Sequence, residues 1–197
     1  MKKLVIFLTM SLMFLVGCSD MGTNDPVGPE QTSVEKTVQW KFMDLPKISA
    51  DNSSEIEATF YTGKIVWGDW GATIPMTRVY WSSNGLVKVK SKLDIPAGAF
   101  SGLKLIWYAV NDELALTDFH PGMEFDKDVE FDLKIENIDL SDISDPSLVE
   151  FAYLDDSETV QIASYDDLIV DVENGTLEVV NARIGHFSRY GFVRGIE

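Results

Sequence analysis

Apolar and polar residues alternate with a period of two along several short segments of the chain. Within residues 129–135 every second position is apolar: Val129, Phe131, Leu133 and Ile135. Residues 87–95 show a similar alternation, with three lysines on the polar side. This pattern is typical of a strand with one buried face and one face in water. No long stretch has the i, i+3, i+4, i+7 spacing of an amphipathic helix, so the sequence predicts a domain built of strands.

Two Asn-Gly pairs mark predicted hairpin turns. Asn84-Gly85 precedes the strand at residues 87–95, so the run ending in Trp81 should fold back against it, and Asn174-Gly175 predicts a second hairpin. Other strands are predicted at residues 34–42, 55–66, 103–110, 114–119, 148–154, 168–173, 176–182 and 186–193. Many short strands at this spacing predict an all-β fold, an antiparallel β-sandwich with Greek-key-like connections.

The first eighteen residues have the layout of a bacterial export signal. Lys2 and Lys3 precede an apolar run of 13 residues, 4–16, which is too short for the roughly 20 residues that span a bilayer. The run ends in Leu15-Val16-Gly17-Cys18, which closely resembles the lipobox of bacterial lipoproteins.

The lipobox resemblance implies that Cys18 carries the membrane anchor. In such proteins the thiol receives a diacylglyceryl group, the chain is cleaved before the cysteine, and the new amino terminus is acylated, for example with palmitate. Two or three acyl chains give stable membrane anchoring where one chain does not. Ser19 follows in a position where some lipoproteins carry an inner-membrane retention aspartate, which favours the outer membrane. The alternative is an ordinary signal peptide followed by a free thiol.

These features divide the chain of 197 residues into three parts. Residues 1–17 are the predicted lipoprotein signal peptide, and residues 18–33 are the lipidated cysteine and a flexible tether rich in Gly, Pro and polar residues. Residues 34–197 form a single predicted β-sandwich domain. Cys18 is the sole cysteine, so the domain has no intramolecular disulfide and no cysteine-based zinc cluster.

The chain is strongly acidic, with 32 Asp and Glu against 16 Lys and Arg, for a formal net charge of −16. Removal of residues 1–17 takes away two lysines and no acids, and leaves a net charge of −18. Such a domain would repel the phosphate backbone that dominates nucleic-acid affinity, so nucleic acid is not an expected partner.

Three spaced segments in the second half together resemble a known module. They are Ile95-Pro96-Ala97-Gly98-Ala99-Phe100, the stretch from Phe119 to Leu133, and His186-Phe187-Ser188-Arg189-Tyr190. In this order, over residues 83–193, they resemble the ZU-type β-domain of netrin receptors, ankyrins and zonula-occludens proteins. The segment after Phe119 is one residue shorter than that family's pattern, and Asp128 stands where the family commonly has proline.

The resemblance implies one possible chemistry. In some ZU-type domains the His-Phe-Ser tripeptide cleaves itself, so here Ser188 would attack the Phe187 carbonyl while His186 takes its proton. On an extended strand, residues 186 and 188 would point the same way. The structural alternative is that Phe187 packs inside while His186 and Ser188 contact their neighbours.

Two further groups of residues are candidate binding sites. Trp67 and Trp70 lie among glycines and could present flat rings to a sugar, although the alternative is that Trp67 ends a strand and Trp70 plugs a loop against the core. Asp139, Asp142 and Asp145 lie three residues apart and could bind calcium, although the favoured alternative is a solvated connection between strands.

Enzyme motifs are missing from the sequence: it has two histidines, no Gly-x-Ser-x-Gly, no His-Glu-x-x-His and no phosphate-binding loop, although a glycosidase carboxylate pair could lie among the 32 acids. We therefore expect a lipid-anchored, non-enzymatic protein of the bacterial cell envelope with no cofactor. Its expected partners are the membrane, through the anchor, and an envelope protein or glycan. Self-cleavage and carbohydrate binding are the alternatives.

Overall fold

The alternating segments form twelve strands in the computed structural model, which describes residues 39–48, 60–111, 113–154 and 159–196. In chain order they are β1 (Gln39–Phe42), β2 (Phe60–Trp67), β3 (Ala72–Ser82), β4 (Gly85–Ile95), β5 (Leu103–Val110), β6 (Leu116–His120), β7 (Glu124–Glu136), β8 (Val149–Leu154), β9 (Val160–Ile162), β10 (Asp167–Asp171), β11 (Thr176–His186) and β12 (Arg189–Ile196). A short 3-10 helix, Pro146–Leu148, precedes β8.

The strands form two antiparallel sheets that pack as a sandwich, which confirms the predicted fold. The seven-stranded sheet has the order β2-β5-β6-β12-β8-β9, with β1 also paired to β12. The five-stranded sheet has the order β10-β11-β7-β4-β3. The chain crosses repeatedly from one sheet to the other, and all described residues belong to one compact unit.

The core lies between the inward faces of the two sheets, where the alternation places the apolar residues. Phe131 on β7 is fully buried and its ring meets Phe119 edge-on, with ring centroids 4.9 Å apart. Tyr108 on β5 is also fully buried, and its hydroxyl donates to the Ile74 carbonyl and bonds the Ser91 hydroxyl, each at 3.0 Å. Because Ile74 and Ser91 belong to the opposite sheet, this hydroxyl joins the two layers.

Both predicted hairpins are present. In the first, β3 and β4 pair from Ala72↔Ile95 to Ser82↔Gly85, so the turn residues are Ser83-Asn84 and Gly85 opens β4 with a φ of +112°. In the second, β10 and β11 pair around a four-residue turn that ends in Gly175.

Several predicted boundaries were wrong. Strand β3 begins at Ala72, well before the apolar run that ends in Trp81, and the short strand β9 was missed. The predicted strand at residues 186–193 is divided: His186 ends β11 in one sheet, and Arg189 begins β12 in the other. Residues 34–38 and 55–59, included in two predicted strands, lie outside the described residues.

Candidate functional site

The turn between β2 and β3 presents two tryptophans. Trp67 is the last residue of β2, and its carbonyl accepts hydrogen bonds from the backbone N–H groups of Trp70 and Gly71, at 3.0 and 3.1 Å. Gly71 has a φ of +68°, and a Cβ there would lie 2.2 Å from the Ile95 carbonyl oxygen. A Cβ on Gly68 would lie 1.9 Å from the Phe100 carbonyl oxygen. The glycines therefore let the turn backbone lie against the neighbouring loop, which leaves the large rings outside.

The two rings stack on each other in solvent. Their centroids are 5.7 Å apart with an interplanar angle of 27°, and the Trp67 Nε1 donates to the Asp69 carboxylate at 2.8 Å. Trp67 is 44% exposed and Trp70 is 80% exposed. The expectation that Trp67 ends a strand is confirmed, but the expectation that Trp70 plugs a loop against the core is wrong, because backbone rather than side chain fills that space.

The other three tryptophans are not fully buried either. Trp81 is 57% exposed, and Trp40 and Trp107 are partly buried. The Trp107 ring stacks on His120 with centroids 4.0 Å apart. Average burial statistics for tryptophan therefore do not describe this domain, whose described core is filled by Phe, Tyr and aliphatic residues.

A face of exposed apolar residues continues from Trp67 along β2 and β5. In the register of these strands Trp67 is opposite Leu103, and Ile65 is opposite Leu105. We call the outward side chains of this region the apolar face: Tyr61, Ile65, Trp67, Leu103 and Leu105. Each is exposed, and exposed contiguous apolar patches commonly mark interaction surfaces.

A cleft lies beside Trp70, on the outer face of the five-stranded sheet. Its volume is about 380 Å³, within the range of small-molecule sites. Trp70, Thr73 and the carboxylates of Asp94, Asp128 and Glu130 are among the residues that line it. The cleft therefore combines an exposed aromatic ring with hydrogen-bond acceptors.

The carboxylate of Asp94 is held in its charged form. Burial favours the protonated form, but hydrogen bonds from Lys92 and from the Thr73 hydroxyl outweigh burial and lower the pKa of Asp94 below its ordinary value. The Thr73 hydroxyl lies 2.5 Å from the Asp94 carboxylate, and the Lys92 ammonium lies 2.8 Å from it. Asp94 therefore remains an acceptor throughout the neutral pH range.

Neither composition nor spacing identifies Asp94, Asp128 or Glu130 as binding residues. Asp94 lies near the end of β4, the other two lie in β7, and only the pairing of β3, β4 and β7 brings them together beside Trp70. The signal available in the sequence was their alternation with buried residues. This alternation predicts which side of its strand a residue faces, but not which strands are neighbours.

In the His186-Phe187-Ser188 tripeptide, His186 is the last residue of β11, and Phe187 and Ser188 connect it to β12. Phe187 is buried and packs against Phe119 and Phe125, with centroids 5.3 and 4.6 Å away, as the structural alternative predicted. The Nδ1 of His186 lies 3.3 Å from the Tyr190 hydroxyl, and its ring meets Tyr153 edge-on. The tripeptide is not an extended strand, so the expected alignment of residues 186 and 188 on one strand face is wrong.

The three spaced aspartates have separate contacts. The Asp139 carboxylate accepts from the backbone N–H of Ser141 at 3.0 Å, and that of Asp145 accepts from the backbone N–H of Ser147 at 2.9 Å. Asp142 forms an ion pair with Arg194. Hydrogen bonds from the serines lower the pKa values of Asp139 and Asp145. Within the described ranges no group of three or more His, Cys, Asp or Glu side chains converges as a metal site would.

The predicted anchor residue, Cys18, lies outside the described residues. Among the residues that the structure does describe, no helix is long and apolar enough to cross a membrane.

Comparison with known proteins adds no relative: no family model, curated protein or solved structure matches the chain. The resemblance to ZU-type domains therefore stays a prediction.

Proposed function

We propose that this chain is a lipid-anchored protein of the bacterial cell envelope whose β-sandwich binds a ligand without catalysing a reaction. The anchor is carried by Cys18, which becomes the first residue when the signal peptide, residues 1–17, is removed. The tether at residues 18–33 holds an acidic domain away from an anionic membrane surface.

One observation carries the binding role: Trp67 and Trp70 form a stacked pair in solvent beside an open cleft. Exposing two large aromatic side chains leaves apolar area in water, which costs free energy unless another molecule covers it. The domain buries a full apolar core elsewhere, so its folding does not depend on these rings. The apolar face, which runs from Trp67 along β2 and β5, extends the same surface.

Carbohydrate is the ligand class that these residues favour. A sugar ring has an apolar face of C–H groups that stacks on an aromatic ring, and a rim of hydroxyl groups that needs acceptors. Trp70 supplies the ring, and Asp94, Asp128 and Glu130 supply acceptors in the adjoining cleft. A few polar groups beside an aromatic wall are typical of small-ligand sites.

The binding role is tested on a glycan array with the full chain purified in detergent. We expect wild type to bind a subset of glycans and the Trp67→Ala, Trp70→Ala double variant to lose them. Trp81→Ala is the matched control, because Trp81 is similarly exposed but lies at the opposite end of β3. Equal loss in the control and the double variant, or release of shortened glycans, would refute a non-enzymatic site at Trp67 and Trp70.

The anchor is tested by denaturing mass measurement of the chain from the membrane fraction. We expect a chain that begins at Cys18 and carries acyl mass, whereas a Cys18→Ser variant should remain unprocessed and unacylated. The same spectrum tests self-cleavage, which would remove residues 188–197. A full-length chain with an unmodified thiol would contradict the anchor.

A further inference from the structure

The floor of the cleft beside Trp70 is a single row of outward side chains across three strands. Thr73 on β3 is the register partner of Asp94 on β4, and Asp94 is the partner of Glu130 on β7. Asp128 lies two residues before Glu130, on the same side of β7, because side chains alternate along a strand. Trp70, in the turn just before β3, forms the wall at the end of this row.

The Trp70 ring supplies an aromatic stacking surface, which carboxylates alone do not. With 80% of its surface exposed, Trp70 has one ring face against Trp67 and leaves the rest of the ring to a ligand. A pyranose stacked on this ring would direct its substituents over the row of acceptors. The aromatic ring fixes the orientation of the sugar, and the carboxylates of the row then contact its substituents.

Two cations near the row already have carboxylate partners. Lys92 lies between Asp94 and Asp132, at 2.8 and 2.9 Å. Arg183 is the register partner of Glu130, but its guanidinium lies 2.6 Å from Asp166. No lysine or arginine is among the described residues that line the cleft. Asp94 is thus partly neutralised by Lys92, and the carboxylates of Asp128 and Glu130 remain to set the charge that a ligand meets.

From this arrangement we infer that the Trp70 cleft selects glycans without acidic groups and prefers amino sugars to neutral sugars. The inference rests on the proposed carbohydrate function and adds the substrate class. A hydroxyl donates to a carboxylate, and an ammonium donates with the added attraction of opposite charge. A uronic acid would place a second carboxylate beside Asp128 and Glu130, which repels it.

The experiment compares four hexamers of matched length: glucosamine, N-acetylglucosamine, glucose and galacturonic acid. Binding to the full chain in detergent is measured by calorimetry at low salt and at about 1 M salt, where the Debye length is about 3 Å. We expect the glucosamine hexamer to bind about twofold to fivefold more tightly than the two neutral hexamers, a range set by exposed ion pairs. High salt should remove this preference, and the galacturonic acid hexamer should not bind.

Two variants separate the contribution of the Trp70 ring to binding from the contribution of the carboxylates. Trp70→Ala should weaken binding of every hexamer by about fivefold to tenfold, the scale of a lost ring contact, whereas Trp81→Ala should not change it. An Asp128→Asn, Glu130→Gln double variant should keep Trp70-dependent binding of neutral hexamers and lose the preference for glucosamine.

The outcomes distinguish the two levels of the proposal. Trp70-dependent binding of the galacturonic acid hexamer, or a glucosamine preference unchanged in the double variant, would overturn the selectivity and leave the carbohydrate function intact. Absence of binding to all four hexamers, while the glycan array shows other Trp70-dependent ligands, would overturn the selectivity alone. Absence of any Trp70-dependent glycan would overturn both.

Discussion

The outer surface of the β4–β7 pair in one sheet and that of the β2–β5 pair in the other follow the same alternation and carry opposite chemistry. On the five-stranded sheet, charged residues pair across β4 and β7, as in Lys88 with Glu136 and Lys92 with Asp132. On the seven-stranded sheet, the outward positions of β2 and β5 form the apolar face. The surface across β4 and β7 is an ordinary solvated surface, and the apolar face resembles a surface that a partner covers.

The difference separates what the fold requires from what is left for binding. Both sheets bury their inward residues in one shared core, so the outer faces add little to the packing that holds the sandwich together. The charged residues across β4 and β7 favour solubility, whereas the apolar face leaves hydrophobic area in water. The Trp67–Trp70 turn lies where β2 of one sheet leads into β3 of the other, so a ligand there can contact both chemistries.

The largest expected effect contrasts the core with the apolar face. Phe131→Ala removes a fully buried ring that meets Phe119 and Tyr108, so the free energy of unfolding should fall by about 3–5 kcal/mol. Leu105→Ala, at a position 59% exposed, should change it by about 0.5 kcal/mol or less. Denaturant unfolding measures both. Similar losses for the two variants would mean that Leu105 is covered, and the contrast between core and face would fail.

The next effect concerns the turn that joins the two faces. Gly71→Ala places a side chain at a φ of +68° and a Cβ 2.2 Å from the Ile95 carbonyl oxygen. A left-handed alanine alone costs about 1–3 kcal/mol, and the contact adds to that cost. Gly102→Ala is the matched control, because Gly102 has a φ of +78° and a Cβ added there would have no neighbour within 4 Å.

Thermal or denaturant unfolding of both glycine variants gives the comparison. Gly71→Ala should destabilise the domain more than Gly102→Ala, and should also weaken glycan binding by displacing Trp70. If the two variants lose equal stability, the close approach of the turn to Ile95 does not constrain the site.

A smaller effect is expected from the hydroxyl that joins the two sheets. Burial raises the pKa of Tyr108 to about 12, although its hydrogen bond with Ser91 opposes the shift. The raised value means that Tyr108 contributes stability fully below its ordinary pKa of 10.0 and loses that contribution as the pH rises through 12. Tyr108→Phe leaves Ile74 and Ser91 without this partner, so the free energy of unfolding should fall by about 1–2 kcal/mol at neutral pH.

The variant should also lose less stability than wild type between about pH 9 and pH 12, as measured by denaturant unfolding across that range. Ser91→Ala is the control, because it removes one partner and keeps the titrating phenol. If wild type and Tyr108→Phe lose the same free energy of unfolding between about pH 9 and pH 12, the ionisation of Tyr108 does not make the stability of the domain depend on pH.

The sequence predicts the inward faces well because burial imposes a strict period of two. The strand at Leu103–Val110 was predicted with its bounds, and Val129, Phe131, Leu133 and Ile135 are all buried. The hairpins were predictable for a local reason, since Gly85 and Gly175 supply a positive φ where the chain leaves each turn.

The outer faces were not predictable in the same way. Ile65, Val66 and Trp67 are consecutive apolar residues, a pattern expected of a strand buried on both sides. Here Val66 is buried while Ile65 and Trp67 are exposed. The candidate site had a similar limit: Trp67 and Trp70 were identifiable from composition, but the carboxylates that join them depend on which strands pair.

The smallest expected effect tests the charged face. The pKa of Asp94 is lowered in the folded domain, against the effect of burial, by hydrogen bonds from Lys92 and Thr73. Its contribution is therefore full above its ordinary value of 3.8 and is lost as the pH falls through the lower folded value. Because the pair with Lys92 is partly exposed, Asp94→Asn should reduce stability at neutral pH by only about 0.5 kcal/mol.

Denaturant unfolding at about pH 7 and about pH 2 measures this difference, and the gap between variant and wild type should close at the acidic end. A gap that stays constant with pH would assign the effect of Asp94 to packing, and the five-stranded sheet's outer face would then resemble the apolar face more than its charges indicate.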